Sequence, residues 1–209
     1  MQFTKPLLQK MLQAALSAIE SQLAMLNQLD AATGDGDHGT AILAAMKAAN
    51  AAVQNEGTLK DSLEKIGWEI MSNTSGSTSA LLGSFFIGMA QSATGDGLDS
   101  DQTANMFEAG LANMRTSSKA AVGDKTSMDA LIPAIGAMGA LKGQSASLVD
   151  IFSAAADAAQ TGADSTKDLV AKFGRARNLG ERSRGHLDAG AVSTALIYRA
   201  YLEAVKSLA

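Results

Sequence analysis

A chain of 209 residues with a formal net charge of −4 exerts no long-range pull on a polyanion, so nucleic-acid binding would need a local basic patch. It has no cysteine, which excludes disulfides, thiolate catalysis and cysteine zinc sites and suits the cytoplasm. Hydrophobic residues make up 46% but aromatics only 4%, so helices must pack through small side chains, and one all-α domain over residues 1–209 is expected.

Leu8, Met11, Leu12, Ala15, Leu16, Ile19, Leu23 and Leu26 recur at helical spacing. They predict one long amphipathic helix over 5–29, with Pro6 in its first turn and Asp30 at its end. Further helices are expected from Thr40 to Val53 and from Thr58, where Thr58 and Asp61 spell a capping box. Residues 79–93 read as an apolar helix too short to span a bilayer, and 100–118 as another after the loop TGDGLDSD. TSMDALIPAIGAMGALK, at 126–142, is helical in pattern, with Pro133 expected to start or kink it. Ser147 with Asp150 opens a helix to about Thr161. Stretches near 165–173 and 189–208 complete a set of about eight helices with no strand. FGRARNLGERSRGHLDAG, at 173–190, is polar, basic and glycine-punctuated, hence a loop or broken helix.

The segment TGDGDHGT, Thr33 to Thr40, contains G-x-G-x-x-G, yet a helix end precedes it instead of a buried strand. Two carboxylates also sit where a pyrophosphate would lie, so a dinucleotide-binding turn is excluded. An EF-hand register from Asp35 fails as well, because it puts Thr40 at the turning glycine and Met46 at the bidentate glutamate. Glycines and acids become compatible when a cation lies between protein and phosphate. Asp30, Asp35 and Asp37 suit two Mg²⁺ ions, Gly34 and Gly36 let the chain fold tightly, and Gly39 leaves room for a phosphate at the next helix's start. The plain alternative is that these acids are turn and helix-end residues.

Four segments in order, GDGDHGT at 34–40, SGSTSALLGSFF at 75–86, GDKTSMDALIPA at 123–134 and GRARNLGERSRGHLDAGA at 174–191, resemble the nucleotide-binding L subunits of bacterial dihydroxyacetone kinases. The resemblance spans nearly the whole chain. It implies a closed barrel of about eight antiparallel helices whose loops at one end hold ADP or ATP through two Mg²⁺ ions. The metal aspartates then fall on Asp30, Asp35 and Asp37, and the nucleotide loop on His38, Gly39, Thr40 and Ala41. Ser77 and Thr78 match the small-polar phosphate turn, Arg175 the catalytic arginine, and Asp188, Ala189 and Gly190 the closing loop.

Those residue types suit the roles: hydroxyls and amides at a helix start receive phosphate oxygens, and an arginine neutralises a moving phosphoryl group. The GDKTS segment, with Gly123 and Ser127 as candidate nucleotide contacts, either holds the adenosine or caps a helix. No Walker A pattern is present. The chain departs from the family at Thr40 to Leu43, where Asn and Met are usual, at Ser77 where a second glycine is usual, and at Ala189 where proline is common.

No ketose pocket is legible in this sequence. The resemblance implies that a small hydroxyketone sits on a partner subunit K and that a phosphocarrier subunit M recharges the nucleotide from phosphoenolpyruvate. The rival readings are an ATP-dependent hydroxyketone kinase subunit with exchangeable ATP, a nucleotide-sensing regulator without turnover, and a ligand-free helical scaffold. Nucleic acid and membrane are not expected partners.

Overall fold

The computed structural model describes residues 1–74 and 76–209; Ser75, the first residue of one motif above, lies outside them. Helix α1, Lys5–Ser21, starts where Thr4 accepts a hydrogen bond from the Leu7 amide, and it buries Leu8, Met11, Leu12, Ala15 and Ile19. The expected helix over 5–29 is broken at Gln22, and α2, Leu23–Ala31, resumes after it. The Ser21 hydroxyl donates to the Ala18 carbonyl at 2.8 Å, a local bond that competes with helix propagation.

Helix α3, His38–Ala52, and α4, Leu59–Asn73, follow, the latter opened by the Thr58–Asp61 capping box. Helix α5 is Ser77–Ser92, and α6, Ser100–Ser117, opens on a capping box formed by Asp99 and Gln102. Helix α7 is Met128–Ala140, and α8, Leu148–Ser165, opens on the Ser147–Asp150 box. Helix α9, Ala189–Lys206, completes the set. The helix expected near 165–173 is only a 3-10 turn at Thr166–Asp168. Beyond it the Ala171 amide donates to the Ser183 hydroxyl and the Lys172 amide to the Asp124 carbonyl, so these donors are satisfied without a helix. Residues Arg175–Ser183 form 3-10 turns kinked at Gly180.

Among the described residues the only β pairing joins β1, Phe3–Thr4, to β2, Gly97–Leu98, a ribbon that the sequence pattern did not announce. It draws Phe3 into the centre, where the few aromatics gather. The Phe107 ring meets those of Phe3, Phe85, Phe152 and Tyr198 at centroid distances of 5.6–6.3 Å. One continuous buried cluster runs from Phe3 to Val205.

Packing follows chain order and returns to its start: α1 on α3, α3 on α4, α4 on α5, and so on through α9, which lies on α1. Connections therefore alternate between two ends. At one end the Lys5 ammonium donates to the Asn55 carbonyl, the Leu59 amide to Asp96 and the Gly143 amide to Asp101. At the other, loops 32–37, 118–127 and 166–188 and the α4–α5 junction surround one cavity.

Pro133 neither starts nor visibly breaks α7, whose first residue lies five positions earlier. Having no N–H, it leaves the Asp129 carbonyl without its usual i+4 donor. That carbonyl faces α8 at Gly162, where a β-carbon would collide with it backbone to backbone. Gly162→Ala is expected to lower unfolding stability by about 1–3 kcal/mol, as overpacking does. Urea denaturation checks this, and a midpoint equal to the parent's would show that α7 and α8 separate freely.

Candidate functional site

The acidic loop between α2 and α3 is built around Asp30. Its Oδ2 accepts from the amides of Gly36, Asp37 and His38 at 2.9, 3.0 and 3.3 Å, so the carboxylate caps the start of α3 from the end of α2. Gly36 takes φ +80°, the left-handed conformation that lets those amides converge. A β-carbon at Gly34 would lie 2.6 Å from Asp30 Oδ1, so glycine keeps the approach to that oxygen clear. With Asp30 fixed, carboxylate oxygens of Asp30, Asp35 and Asp37 all lie within 4.8 Å of one another. Three convergent hard-oxygen donors suit Mg²⁺, and the open approach to Oδ1 fits a cation there.

Arg175, at the start of the 3-10 segment, forms an ion pair through Nη1 with Asp35 Oδ2. Both partners are solvent-accessible, so the pair is weak and readily exchanged. His38 is held differently: its Nε2 lies 2.9 Å from the Ser193 hydroxyl, tying α3 to α9. Burial lowers its pKa, while Asp30 and Asp37 oppose that shift.

The cavity beside the acids measures about 1030 Å³. Its mouth collects Asp30, Asp35, Asp37, His38, Ala41, Ser77, Thr78, Ser127, Arg175, Asp188, Ala189 and Gly190, and its floor is apolar, with Met46, Phe85 and Phe107. The first turns of α3, α5, α7 and α9 all reach this mouth, bringing four partially positive helix ends together. Gly76 holds the N-cap position of α5, so Ser77 and Thr78 are not its caps, and neither α5 nor α7 has a side-chain cap bond at that position. Amides at such helix starts are suited to anionic oxygens.

Gly39, Thr40 and Gly123 do not line the cavity. At Gly39 a β-carbon would meet the Leu23 carbonyl at 2.6 Å and the Asn27 side chain at 2.7 Å, so the close approach of α2 to α3 is what requires glycine there. The Thr40 amide donates to Asn27 Oδ1, and its hydroxyl accepts from Asn27 Nδ2, both at 3.1 Å. The Gly123 amide donates to Asp129 Oδ1 at 2.6 Å, and that of Thr126 to Asp129 Oδ2 at 2.7 Å. The buried Asp129 thus organises the GDKTS turn, a role that no motif announced.

Asp188 caps α9 by accepting from the Ala191 amide at 2.8 Å. Burial pushes its carboxyl up to about 6 from 3.8; Asp129 and Asp30 add to the rise, while the Ala191 amide and Lys125 oppose it. A carboxyl that holds its proton more tightly when folded contributes stability below its unfolded pKa and loses it as pH rises through the folded one. Between pH 3.8 and about 6 the folded chain binds the extra proton, so this group makes stability fall with rising pH. Asp188→Asn, still a hydrogen-bond acceptor for Ala191, is expected to flatten that slope. Chemical denaturation at pH 4.5 and 7 reads it, and an unchanged slope would assign the effect elsewhere.

Residues 32–203 match the DAK2 domain family, and the chain belongs to it. It is 34% identical over 193 residues to the ADP-binding subunit DhaL of PEP-dependent dihydroxyacetone kinase 2 from Listeria innocua, a match covering 90% of this chain and 89% of that subunit. The ADP-binding subunit DhaL of the PTS-dependent dihydroxyacetone kinase from Lactococcus lactis is 33% identical over 191 residues, with 90% and 91% covered. The fold is similar to the crystal structure of the dihydroxyacetone kinase from C. freundii in complex with AMP-PNP and Mg²⁺, with a TM-score of 0.72 and 26% identity. That match covers 97% of this chain and 34% of the C. freundii chain. No described helix is long and apolar enough to cross a membrane.

Proposed function

We propose that this chain, acting as one domain over 1–209, is the nucleotide-carrying phosphotransferase subunit of a dihydroxyacetone kinase. It carries ADP or ATP with two Mg²⁺ ions and passes the terminal phosphoryl group to a small hydroxyketone held on a partner subunit K. A phosphocarrier subunit M recharges the ADP from phosphoenolpyruvate in the cytoplasm. The observation that carries this reading is the convergence of Asp30, Asp35 and Asp37 oxygens within 4.8 Å at a mouth ringed by four helix N-termini. The names of the L. innocua and L. lactis relatives, ADP-binding subunits of PEP- and PTS-dependent kinases, support it.

Asp30, Asp35 and Asp37 would hold Mg²⁺, which would supply positive charge to offset that of the phosphates. The chain's residues do the rest. Asp30, fixed by its three amide bonds, is the rigid member of the trio, while Asp35 and Asp37 are the adaptable ones. Ser77, Thr78 and the start of α5 receive phosphate oxygens, and Asp188 to Gly190 and Ser127 border the nucleotide from α9 and α7. Arg175 leaves Asp35 for the transferring group, acting as a mobile counter-charge.

A second reading, with free ATP exchanging at each turnover, draws on the C. freundii kinase, whose structure holds the nucleotide AMP-PNP. Phosphate flow decides between the two. In a system reconstituted with a K-type subunit, label from phosphoenolpyruvate is expected in the sugar phosphate only when the phosphocarrier is present, with bound ADP retained through many turnovers. Turnover from ATP alone at the same rate would select the exchange reading.

A further inference from the structure

Lys125 carries two costs at one position. Its side chain is only 2% exposed, and burying an ammonium is unfavourable until it finds partners. Its backbone takes φ +60°, one of two non-glycine residues in the left-handed region among those described. Local strain of this kind persists where surrounding contacts over-determine it, and those contacts are present.

The Lys125 ammonium donates to the Thr166 carbonyl at 2.5 Å and to the His186 carbonyl. These two acceptors stand at opposite ends of the 166–188 loop, so one side chain closes the loop at its neck. The neck carries further ties: the Asp188 amide donates to Thr166 Oγ1 at 2.9 Å and the Gly185 amide to the Lys167 carbonyl at 2.7 Å. Burial draws the lysine's pKa down, while Asp188, Asp129 and Asp168 pull it back up and favour the charged donor. The turn holding Lys125 is itself fixed by the Asp129 bonds to Gly123 and Thr126, and the Lys172 ammonium reaches Asp124 at 2.8 Å from the loop side.

We infer that Lys125 is a positioning residue: it pins the neck of the 166–188 loop so that Arg175 on the loop and Asp188 to Gly190 at its base meet the aspartate trio in one register. The purpose of that register rests on the function proposed above, whereas the pinning does not. Lys125 borders the same cavity but makes no hydrogen bond or ion pair with the trio; it acts through the loop. A merely structural buried lysine would stabilise the whole fold evenly, and that difference is measurable.

The test is hydrogen exchange on the ligand-free full chain, comparing Lys125→Met, Lys125→Gly and Lys125→Arg with the parent. Methionine removes the ammonium and keeps the stem, glycine removes the tether and relaxes the backbone, and arginine restores charged donors. In the first two, the Gly185 and Asp188 amides are expected to exchange at least 10-fold faster and trypsin to cut after Arg177 or Arg182 at least 10-fold faster. Core amides of α1, α8 and α9 keep parental rates, and arginine recovers most of the loop protection. In the reconstituted kinase, the same two variants lose at least 10-fold in kcat, with the Mg-ADP Kd shifting less than 3-fold. Uniform acceleration across all helices, unchanged exchange in 166–188, or failure of both neutral variants to fold would each overturn the inference. Loop exchange accelerated only in the Met and Gly variants, with a parent chain that transfers no phosphoryl group, would instead sink the proposed function and leave the tether standing.

Discussion

Alanine at Asp37 is expected to weaken Mg²⁺-dependent ADP binding by at least about 100-fold while the fold survives. Asp37 occupies the N-cap of α3, yet its side chain makes no cap bond, because Asp30 reaches across to hold that helix start. Removing the Asp37 carboxylate therefore takes away a cation donor without undoing a cap. Asp35→Ala is expected to behave alike, since its partner Arg175 is a surface arginine. Asp30→Ala differs in kind: it leaves the amides of Gly36, Asp37 and His38 without their acceptor, so it is expected to cost about 1–2 kcal/mol of stability as well as binding. Calorimetry with ADP, with and without Mg²⁺, beside thermal melts of each variant separates these outcomes. Parental affinity in Asp35→Ala and Asp37→Ala would remove the trio from the site.

Arg175→Ala is expected to reduce kcat by about 1000-fold with little change in nucleotide affinity. The split follows from geometry. In the ligand-free chain Arg175 competes with any cation for Asp35, so its loss frees a carboxylate even as it removes the counter-charge for transfer. The Mg-ADP Kd is thus expected to stay within about 3-fold of the parent or to tighten, because exposed pairs of this type contribute little. Steady-state kinetics with a saturating partner subunit, set beside equilibrium binding, reads both. A Kd raised 10-fold with kcat intact would recast Arg175 as an anchor for bound phosphates.

The helical architecture was legible wherever a local signal existed. Thr58 with Asp61 and Ser147 with Asp150 lie three residues apart, and both boxes formed as read. The trio was legible for the same reason, since Asp35 and Asp37 share one tight loop and Asp30 sits one turn upstream. What the sequence hid depends on distant partners or on competition between local bonds. The break at Gln22 is invisible because Leu23 and Leu26 continue the apolar rhythm across it. The 170–172 stretch resembles a helix in composition, but its amides find Asp124 and Ser183 instead. The Lys125 tether spans 41 and 61 residues of sequence, and no spacing rule reaches that far. That Gly39 also gives α2 room to approach α3 was not legible, because Leu23 and Asn27 lie far from it in sequence.

The alternation of connections has a wider consequence. Turns near Asn55, Asp96 and Gly143 brace one rim of the ring, while the loops carrying Asp35, Ser127 and Arg175 sit on the opposite rim. The opposite rim thus closes the ring without taking part in the site, so exposed site-rim positions such as Asp35 and Arg175 can vary with less effect on the frame than Asp30 or Asp188. A lineage with this layout can vary how it grips the nucleotide while its closed ring persists.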